Sequence, residues 1–407
     1  MPTSGFSQTA TRLKDCLEIF GSTGDCSSQG ILFASVRPMK KIPLLVALLV
    51  SFASTGSHTP LQACTGGAIQ AKDGSVVVGR TLEFGMPLDS KIAIWPAGSE
   101  FTGIGANGPG LKFTAQFGFL GATVGDYLDQ ILDGVNEKGL NVGLFYFPGS
   151  AQYTQPTADS ASKALSPGQL GTWILANCAN VADVRAKIAV ITVEPVVLEL
   201  LKAVPDVHFK VQDATGACIV IEPVGGELKI YDNPVRVLTN APEFPWHITN
   251  LRNSLNLSAN YPASTNIRGL SLSPFGMGSG AWGLPGDFTP PSRFVRMAFF
   301  LQNLTEQPDG ASAVSTLFHV LNNFDVPVGS ANPPAGTVEA SPDFTTWTAV
   351  SDLKTPAFHW KTYGDQTLRV IDLAQALKAA AGKPLSVEMG PQTPTSVAPS
   401  LPFTVKP

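Results

Sequence analysis

Residues 64–84 read CTGGAIQAKDGSVVVGRTLEF, two apolar runs on either side of the turn sequence Lys72-Asp73-Gly74. An Asp-Gly pair between two such runs is typical of a tight β-hairpin. The stretch therefore predicts one strand over residues 65–71 and a second over residues 75–84.

Further strands and helices follow in separate runs along the chain. Alternating or apolar stretches predict strands over residues 91–95, 131–148 (a hairpin with the turn NEKG), 207–211, 217–222, 228–231, 344–350, 357–362 and 367–372. Helical periodicity is present over residues 170–191, 294–303 and 311–321. Separate runs of strands and helices favour an α+β fold with two stacked, mostly antiparallel sheets over a parallel doubly wound sheet.

The overall composition excludes two classes of protein. The 407 residues are 44% hydrophobic and carry a formal charge of only −4, which is unlike a disordered chain. Lys and Arg (27) do not outnumber Asp and Glu (31), so we expect no nucleic-acid partner.

A short apolar run near the start predicts export. Residues 42–53 (IPLLVALLVSFA) follow the basic start MKK at 39–41, and Ala63 offers a small residue before a cut. Twelve residues are too few for a membrane-spanning helix, which needs ~20, so residues 39–63 are predicted to be a secretory signal peptide. Residues 1–38 are interpreted as an upstream extension or a mis-called start, residues 64–383 as the catalytic domain and residues 384–407 as a Pro-rich tail. The expected location is secreted or periplasmic.

Cleavage after Ala63 would make Cys64 the first residue, with both a thiol and a free α-amine. A thiolate is a strong nucleophile, and an α-amine with a pKa of ~7.7–8.0 is a suitable base for generating it. No histidine has zinc-like spacing with a cysteine, so neither a metal nor a cofactor is expected.

Two other interpretations of Cys64 remain open. Residues 61–64 (LQAC) also resemble a lipoprotein box, which would place a lipid on the sulfur and make the protein a membrane-anchored ligand-binding protein without amidase activity. Gln62 and the polar stretch before Leu61 argue against it. Alternatively, Cys64 forms a disulfide with Cys178 or Cys218.

A glycine pattern over residues 103–108 (GIGANG) matches a dinucleotide-binding sequence. Pro109-Gly110 follows where the phosphate-binding helix would begin, so the segment is interpreted as a glycine-rich loop.

Several separated motifs resemble those of one family, the choloylglycine hydrolases and penicillin V acylases, which are N-terminal-nucleophile (Ntn) amidohydrolases. The resemblance extends from Cys64 to about Ala376. It rests on CTG (64–66), GRTLE (79–83), NEKGL (136–140), FPG (147–149), NPV (233–235), VLTNAP (237–242), TNL (249–251), LPGD (284–287) and SRF (292–294). It implies a four-layer αββα sandwich and commonly a homotetramer.

The resemblance also implies roles for single residues. Cys64 would be the nucleophile, with Arg80 as the cation beside it and Arg293 as a second arginine. Asn240 would supply the side-chain donor of the oxyanion hole. Glu83 stands where most members have Asp, so its contact with the α-amine is an open question.

The remaining residues concern the substrate. Tyr146 lies where the family varies between Asn and Tyr, and its backbone N–H would be the second oxyanion donor. Phe84, Met86 and Phe145 would line an apolar acyl pocket or else pack in the core. The implied substrate is a small amide with an apolar acyl group: a conjugated bile salt, penicillin V or another N-acyl amide.

Overall fold

The computed structural model describes residues 63–333 and 341–393. The predicted upstream extension and the predicted signal peptide, except for Ala63, lie outside the described residues. So do the last residues of the predicted tail, 394–407.

Nineteen strands and six α-helices follow one another along the described residues. The strands are β1 (Cys64–Gln70), β2 (Val76–Phe84), β3 (Lys91–Trp95), β4 (Glu100–Gly105), β5 (Gly108–Thr114), β6 (Phe119–Val124), β7 (Tyr127–Asn136), β8 (Leu140–Tyr146), β9 (Ala164–Leu165), β10 (Thr192–Val193), β11 (Val207–Asp213), β12 (Cys218–Val224), β13 (Glu227–Asp232), β14 (Thr265–Ile267), β15 (Leu270–Leu272), β16 (Phe344–Asp352), β17 (Ala357–Thr362), β18 (Arg369–Asp372) and β19 (Leu385–Glu388). The helices are α1 (Leu170–Asn177), α2 (Val181–Lys187), α3 (Phe244–Asn250), α4 (Pro290–Asn303), α5 (Gly310–Leu321) and α6 (Leu373–Ala380). None of these helices is long and apolar enough to cross a membrane.

Two large antiparallel sheets form the centre of the molecule. One has five strands in the order β1-β2-β16-β17-β18, and the other has eight in the order β13-β12-β11-β8-β7-β6-β3-β19. The first hairpin forms at the predicted turn: Asp73 Oδ1 accepts the N–H of Ser75, and Gly74 has a φ of 85°. This turn places Cys64 opposite Leu82, and Gly66 opposite Arg80.

Helices cover the outer faces of both sheets. Helices α4 and α5 pack on β1 and β2, α1 packs on β7 and β8, and α2 packs on β11, while contacts such as β1 with β8 and β7 with β16 join the two sheets. Because both of its faces are covered, β2 is buried along its whole length, including the polar residues Arg80, Thr81 and Glu83. The predicted α+β fold with an αββα arrangement of layers is confirmed.

Two differences between the predicted elements and the structure concern a helix and the domain limit. The helical pattern over residues 170–191 contains two helices, because the side chain of Asn180 caps a new one by accepting the N–H of Asp183. The predicted domain limit at residue 383 is too early. Strand β19 pairs with β3, and beyond it the side chain of Gln392 hydrogen-bonds both backbone groups of Ser90.

The glycine pattern over residues 103–108 forms the tip of the β4–β5 hairpin rather than an irregular loop. Its glycines allow a close approach to β9. A Cβ at Gly103 would lie 2.3 Å from the carbonyl oxygen of Ala164, and one at Gly110 would lie 2.1 Å from it. The pattern therefore reflects packing of backbone on backbone.

Candidate active site

Cys64 begins β1 with its sulfur inside the protein, and the residue is only 4% exposed. Arg80, on the neighbouring strand β2, donates from Nη2 to Cys64 Sγ over 2.7 Å. The hairpin register brings the two together, since Arg80 lies directly opposite Gly66.

The guanidinium of Arg80 is held by the opposite sheet. Its Nη1 donates to the carbonyl oxygens of Leu132, over 3.1 Å, and Leu144. The guanidinium carbon lies 4.4 Å from the ring centroid of Phe145 and 5.4 Å from that of Trp347. These contacts fix the direction in which Nη2 points, so the cation is aimed at the sulfur before any substrate arrives.

The charges around the sulfur act in opposite directions. Burial raises the pKa of the Cys64 thiol, whereas the nearby Arg80 and Arg293 act to lower it and Glu83 acts to raise it further. A thiolate here therefore depends on the two guanidinium groups and on a base that accepts the proton.

Asn240 connects the start of β1 with the end of β8. Its Oδ1 accepts the backbone N–H of Cys64 over 2.9 Å, and its Nδ2 donates to the carbonyl oxygen of Tyr146 over 2.7 Å. An amide nitrogen carries two protons, so Nδ2 retains a second donor beside the bond to Tyr146. The side chain is thus fixed within reach of any group bound at the sulfur.

Arg293 reaches the same place from the first turn of α4. Its Nη2 donates to Asn240 Oδ1 over 2.7 Å, and its Nη1 donates to Thr65 Oγ1 over 2.7 Å and to the carbonyl oxygen of Cys64. Arg293 is fully buried. Its guanidinium group therefore fixes Asn240 relative to the first two residues of β1.

Two buried histidines, which the sequence did not point to, hold the backbone on either side of this amide. His208 Nε2 lies 3.1 Å from the carbonyl oxygen of Thr239, and His208 Nδ1 lies 3.0 Å from Glu222 Oε1. His247 Nε2 lies 2.9 Å from the carbonyl oxygen of Asn240. Burial lowers the pKa of His247 to about 4, so it is neutral at pH 7 and donates from Nε2.

Glu83 lies beside the residue before Cys64. Its backbone N–H donates to the carbonyl oxygen of Ala63 over 2.9 Å. Its Oε1 accepts the hydroxyl of Thr345 over 2.8 Å, while Oε2 has no hydrogen-bond partner among the described residues. Burial raises the pKa of this carboxyl to about 7.

An apolar cavity of about 60 Å³ opens on the other side of the sulfur. Beside Cys64, Arg80 and Glu83 it is walled mainly by aliphatic and aromatic side chains: Leu82, Phe84, Leu88, Val124, Leu132, Leu144, Tyr146, Leu198, Leu201, Pro205 and Val207. Of the predicted substrate-binding residues, Phe84 and Tyr146 line this cavity.

The other two predicted pocket residues lie elsewhere. Phe145 faces the opposite side of β8 from Leu144 and Tyr146, because side chains alternate along a strand, and its ring packs against Arg80. Met86 does not line the cavity and is 40% exposed. Neither side chain lines this cavity, and Phe145 packs in the core, the alternative left open for it above.

All three cysteines of the described residues are buried and free, so Cys64 forms no disulfide with Cys178 or Cys218. What remains at the site is a thiol beside a cation, an amide donor and an apolar cavity. This set can attack a carbonyl carbon and stabilise the oxyanion that results.

Comparisons with known proteins agree with this arrangement. A family model described as linear amide C–N hydrolases, choloylglycine hydrolase family, matches residues 64–378. An uncharacterized protein of Paramecium bursaria Chlorella virus 1 is 35% identical over 75% of this chain and 99% of its own length. The bile salt hydrolase/transferase of Clostridium perfringens (strain 13 / Type A) is 31% identical over 76% of this chain and 92% of its own.

Solved structures show the same fold. A variant of conjugated bile acid hydrolase from Clostridium perfringens superposes with a TM-score of 0.71 at 28% identity, covering 82% of this chain and 99% of that one. The residues matched by the family model, 64–378, include Cys64, Arg80, Glu83, Asn240 and Arg293. The chain belongs to the choloylglycine hydrolase family of linear amide C–N hydrolases.

Proposed function

We propose that the mature enzyme begins at Cys64 and hydrolyses N-acyl amides whose acyl part is apolar. The observation that carries this proposal is the position of Cys64, whose sulfur accepts from Arg80 while its backbone nitrogen donates to Asn240. The nitrogen and the sulfur of one residue thus both lie at the site. Once the preceding chain is removed, that nitrogen is an amine that can act as the base.

The reaction then proceeds in two halves. The α-amine takes the thiol proton, and the thiolate forms a C–S bond to the amide carbon while the carbonyl electron pair moves to oxygen. Asn240 Nδ2 and the backbone N–H of Tyr146 stabilise that oxyanion. The α-ammonium protonates the nitrogen of the substrate, the C–N bond breaks and the amine leaves.

A water molecule completes the cycle. The α-amine takes a proton from the water, and the resulting hydroxide adds to the thioester carbon. The C–S bond breaks, the carboxylic acid leaves, and the proton returns to the sulfur. Arg80 stabilises the negative charge on sulfur at the start and at the end of this sequence.

The cavity walls indicate the acyl class. Apart from Arg80, Glu83 and Gln130 they are mainly aliphatic and aromatic, which fits a steroid, phenoxyacetyl or fatty acyl group rather than a charged one. The relative from Clostridium perfringens is a bile salt hydrolase/transferase, so conjugated bile salts are the first substrates to test, with penicillin V and N-acyl homoserine lactones next.

Maturation, location and assembly complete the proposal. The apolar run over residues 42–53 supports a signal peptide and a secreted or periplasmic enzyme.

Residues 255–282 expose large apolar side chains, which supports a homo-oligomer such as a tetramer. The most exposed of these are Leu255, Phe275, Met277 and Trp282.

The lipid-anchored alternative fits this site less well. Its sulfur would carry a diacylglyceryl group, whereas Cys64 Sγ is buried and accepts a hydrogen bond from Arg80. Partition of the mature protein into detergent would support the anchor and contradict the enzyme.

Two measurements test the proposed function. Intact mass of the mature protein gives its first residue, and any residue other than Cys64 contradicts the mechanism. Cys64→Ser should abolish turnover of the substrate panel, while Cys178→Ser, which changes a buried cysteine that does not line the cavity, should retain it. Equal losses in the two variants would refute the assignment of the nucleophile.

A further inference from the structure

A second carboxyl group, that of Asp343, lies buried next to Glu83. Asp343 comes just before β16, is 4% exposed and has an Oδ1 without a hydrogen-bond partner among the described residues. Its neighbour on β16, Thr345, lies directly opposite Glu83 and donates to it. Two residues apart on an extended chain share a face, so Asp343 points to the same side as Glu83.

Packing against Gly85 agrees with this direction. A Cβ added at Gly85 would lie 3.3 Å from Asp343 Oδ1, which places that oxygen along the edge of β2 that carries Glu83. Both carboxyl groups therefore lie on the same face of this sheet.

Asp343 also lines a cavity beside Ala63, the residue that precedes Cys64. A cavity of about 340 Å³ is lined by Asp343 together with Ala63, Asn240 and Arg293. Ala63 is bonded to the nitrogen of Cys64, so removal of Ala63 turns new N–H bonds toward this cavity. Glu83 lines the apolar cavity beside the sulfur and Asp343 lines this larger cavity, so the two carboxyl groups border Cys64 from two adjoining cavities.

We propose that Asp343 and Glu83 together hold the α-ammonium group of mature Cys64. Asp343 is a positioning residue, and its carboxylate gives the ammonium group a second contact beside that of the longer Glu83 side chain. This inference rests on the proposed function. Before processing, each carboxyl has one oxygen without a hydrogen-bond partner among the described residues, and an ammonium group supplies N–H donors for both.

The charges around the amine are of both signs. Arg80 and Arg293 are the nearby cations, and the exposed Asp287 lines the outer wall of the larger cavity. Burial raises the pKa of Asp343 to about 7, and the charge of Glu83 adds to this rise while Arg293 opposes it. A cation between the two carboxyls reverses that rise, because each carboxylate then faces an opposite charge.

The test is the pKa of the α-amine, measured without substrate. In the mature protein the thiol of Cys64 is first blocked as a methyl disulfide, and the acetylation rate of the N-terminal peptide by acetic anhydride is then followed by mass spectrometry from pH 6 to 10. Asp343→Asn should lower the pKa of the amine by about one unit, because one opposite charge is lost. The acidic limb of the kcat/KM profile should move down by the same amount, because the unprotonated amine is the base.

Matched variants show that the effect belongs to this carboxyl. Asp343→Glu should restore the pKa of the amine and the pH profile of kcat/KM. Asp343→Ser is the second variant, used if Asp343→Asn does not fold. Asp325→Asn is the control, because Asp325 also has a buried, unpartnered oxygen but its other oxygen pairs with Lys361 over 3.3 Å, and it does not line the cavity beside Ala63. It should leave the pKa of the amine unchanged.

The two proposals can fail separately. An amine pKa that is the same in Asp343→Asn, Asp343→Ser and the wild type overturns the role of Asp343, even if the enzyme hydrolyses amides as proposed. A lowered pKa in a protein that hydrolyses none of the amides supports the carboxyl pair and contradicts the function. A mature protein that begins at another residue overturns both.

Discussion

Arg80 Nη2 donates to Cys64 Sγ over 2.7 Å, and the two residues belong to neighbouring strands of one hairpin. The contact therefore depends on the register of the β1–β2 pair and not on any flexible loop. A one-residue slip would turn Arg80 to the other face of the sheet and leave the sulfur without its cation.

Arg80→Lys should lower kcat/KM by about 100-fold, because a lysine has one nitrogen and cannot bond the sulfur together with the two carbonyl groups. The same variant should slow alkylation of Cys64 by iodoacetamide at pH 7, since less thiolate is present. Arg236→Lys is the control, because Arg236 bonds Gln70 far from the sulfur. An unchanged alkylation rate in Arg80→Lys would show that the guanidinium does not stabilise the thiolate.

Asn240→Ala should lower kcat by about 100- to 1000-fold with a small change in KM, since an oxyanion donor acts mainly in the transition state. Asn233→Ala removes another buried amide, which donates to the carbonyl oxygen of Val237 and does not touch Cys64. The control should lose stability in urea while its kcat stays within about twofold. Similar losses of kcat in both variants would point to a general folding defect.

Leu201→Ala should enlarge the apolar cavity and raise kcat/KM for a bulky acyl amide relative to a small one by about tenfold. Leu201 lines the cavity, whereas its neighbour Leu200 does not and is 37% exposed. Leu200→Ala should therefore leave the ratio unchanged. The ratio is measured with a steroid amide and a phenoxyacetyl amide of the same amine, and no change in Leu201→Ala would exclude this cavity as the acyl site.

His247 makes stability depend on pH with a definite sign. Its pKa is lowered from 6.5 to about 4 by burial, so the unfolded chain binds a proton that the folded chain does not over the range between those values. Stability is lost as pH falls through this window, by about 2 kcal/mol between pH 6.5 and 5.

His247→Gln should remove that part of the pH dependence, because glutamine keeps a donor for the carbonyl oxygen of Asn240 but does not titrate. The check is urea unfolding of wild type and variant at pH 7.5 and pH 5. The wild type should lose about 2 kcal/mol more than the variant on acidification. Equal losses would show that His247 is already charged in the folded protein.

The fold class could be predicted wherever local sequence patterns mark turns, strands and helices. The Asp73-Gly74 turn predicted the first hairpin, and the separate runs of strands and helices predicted the α+β class. The predicted start of α4, residue 294, is four residues too late, because the helix begins at Pro290. Proline is favoured in the first turn of a helix, and the apolar pattern that predicted this helix begins only after that turn.

The site was predictable only as far as its motifs extend. Cys64, Arg80, Glu83, Asn240 and Arg293 converge as the family resemblance implied, although they come from separate parts of the chain. The sequence left Phe145 between pocket lining and core packing, because both faces of an apolar strand can be buried and the pattern does not show which face meets the cavity. Asp343 and His247 lie in no motif, and only tertiary packing brings them to the site.

The hydrogen bond from Glu83 to the carbonyl oxygen of Ala63 continues the β1–β2 ladder one residue past the nucleophile. The peptide bond that maturation is proposed to break is therefore already part of the sheet, and the thiol, its cation and the oxyanion donor are in place while that bond is intact. An amide nitrogen, however, has no basic lone pair. In this scheme the uncut chain is a zymogen complete except for its base, and the timing of its activity is set by the removal of the leader rather than by folding.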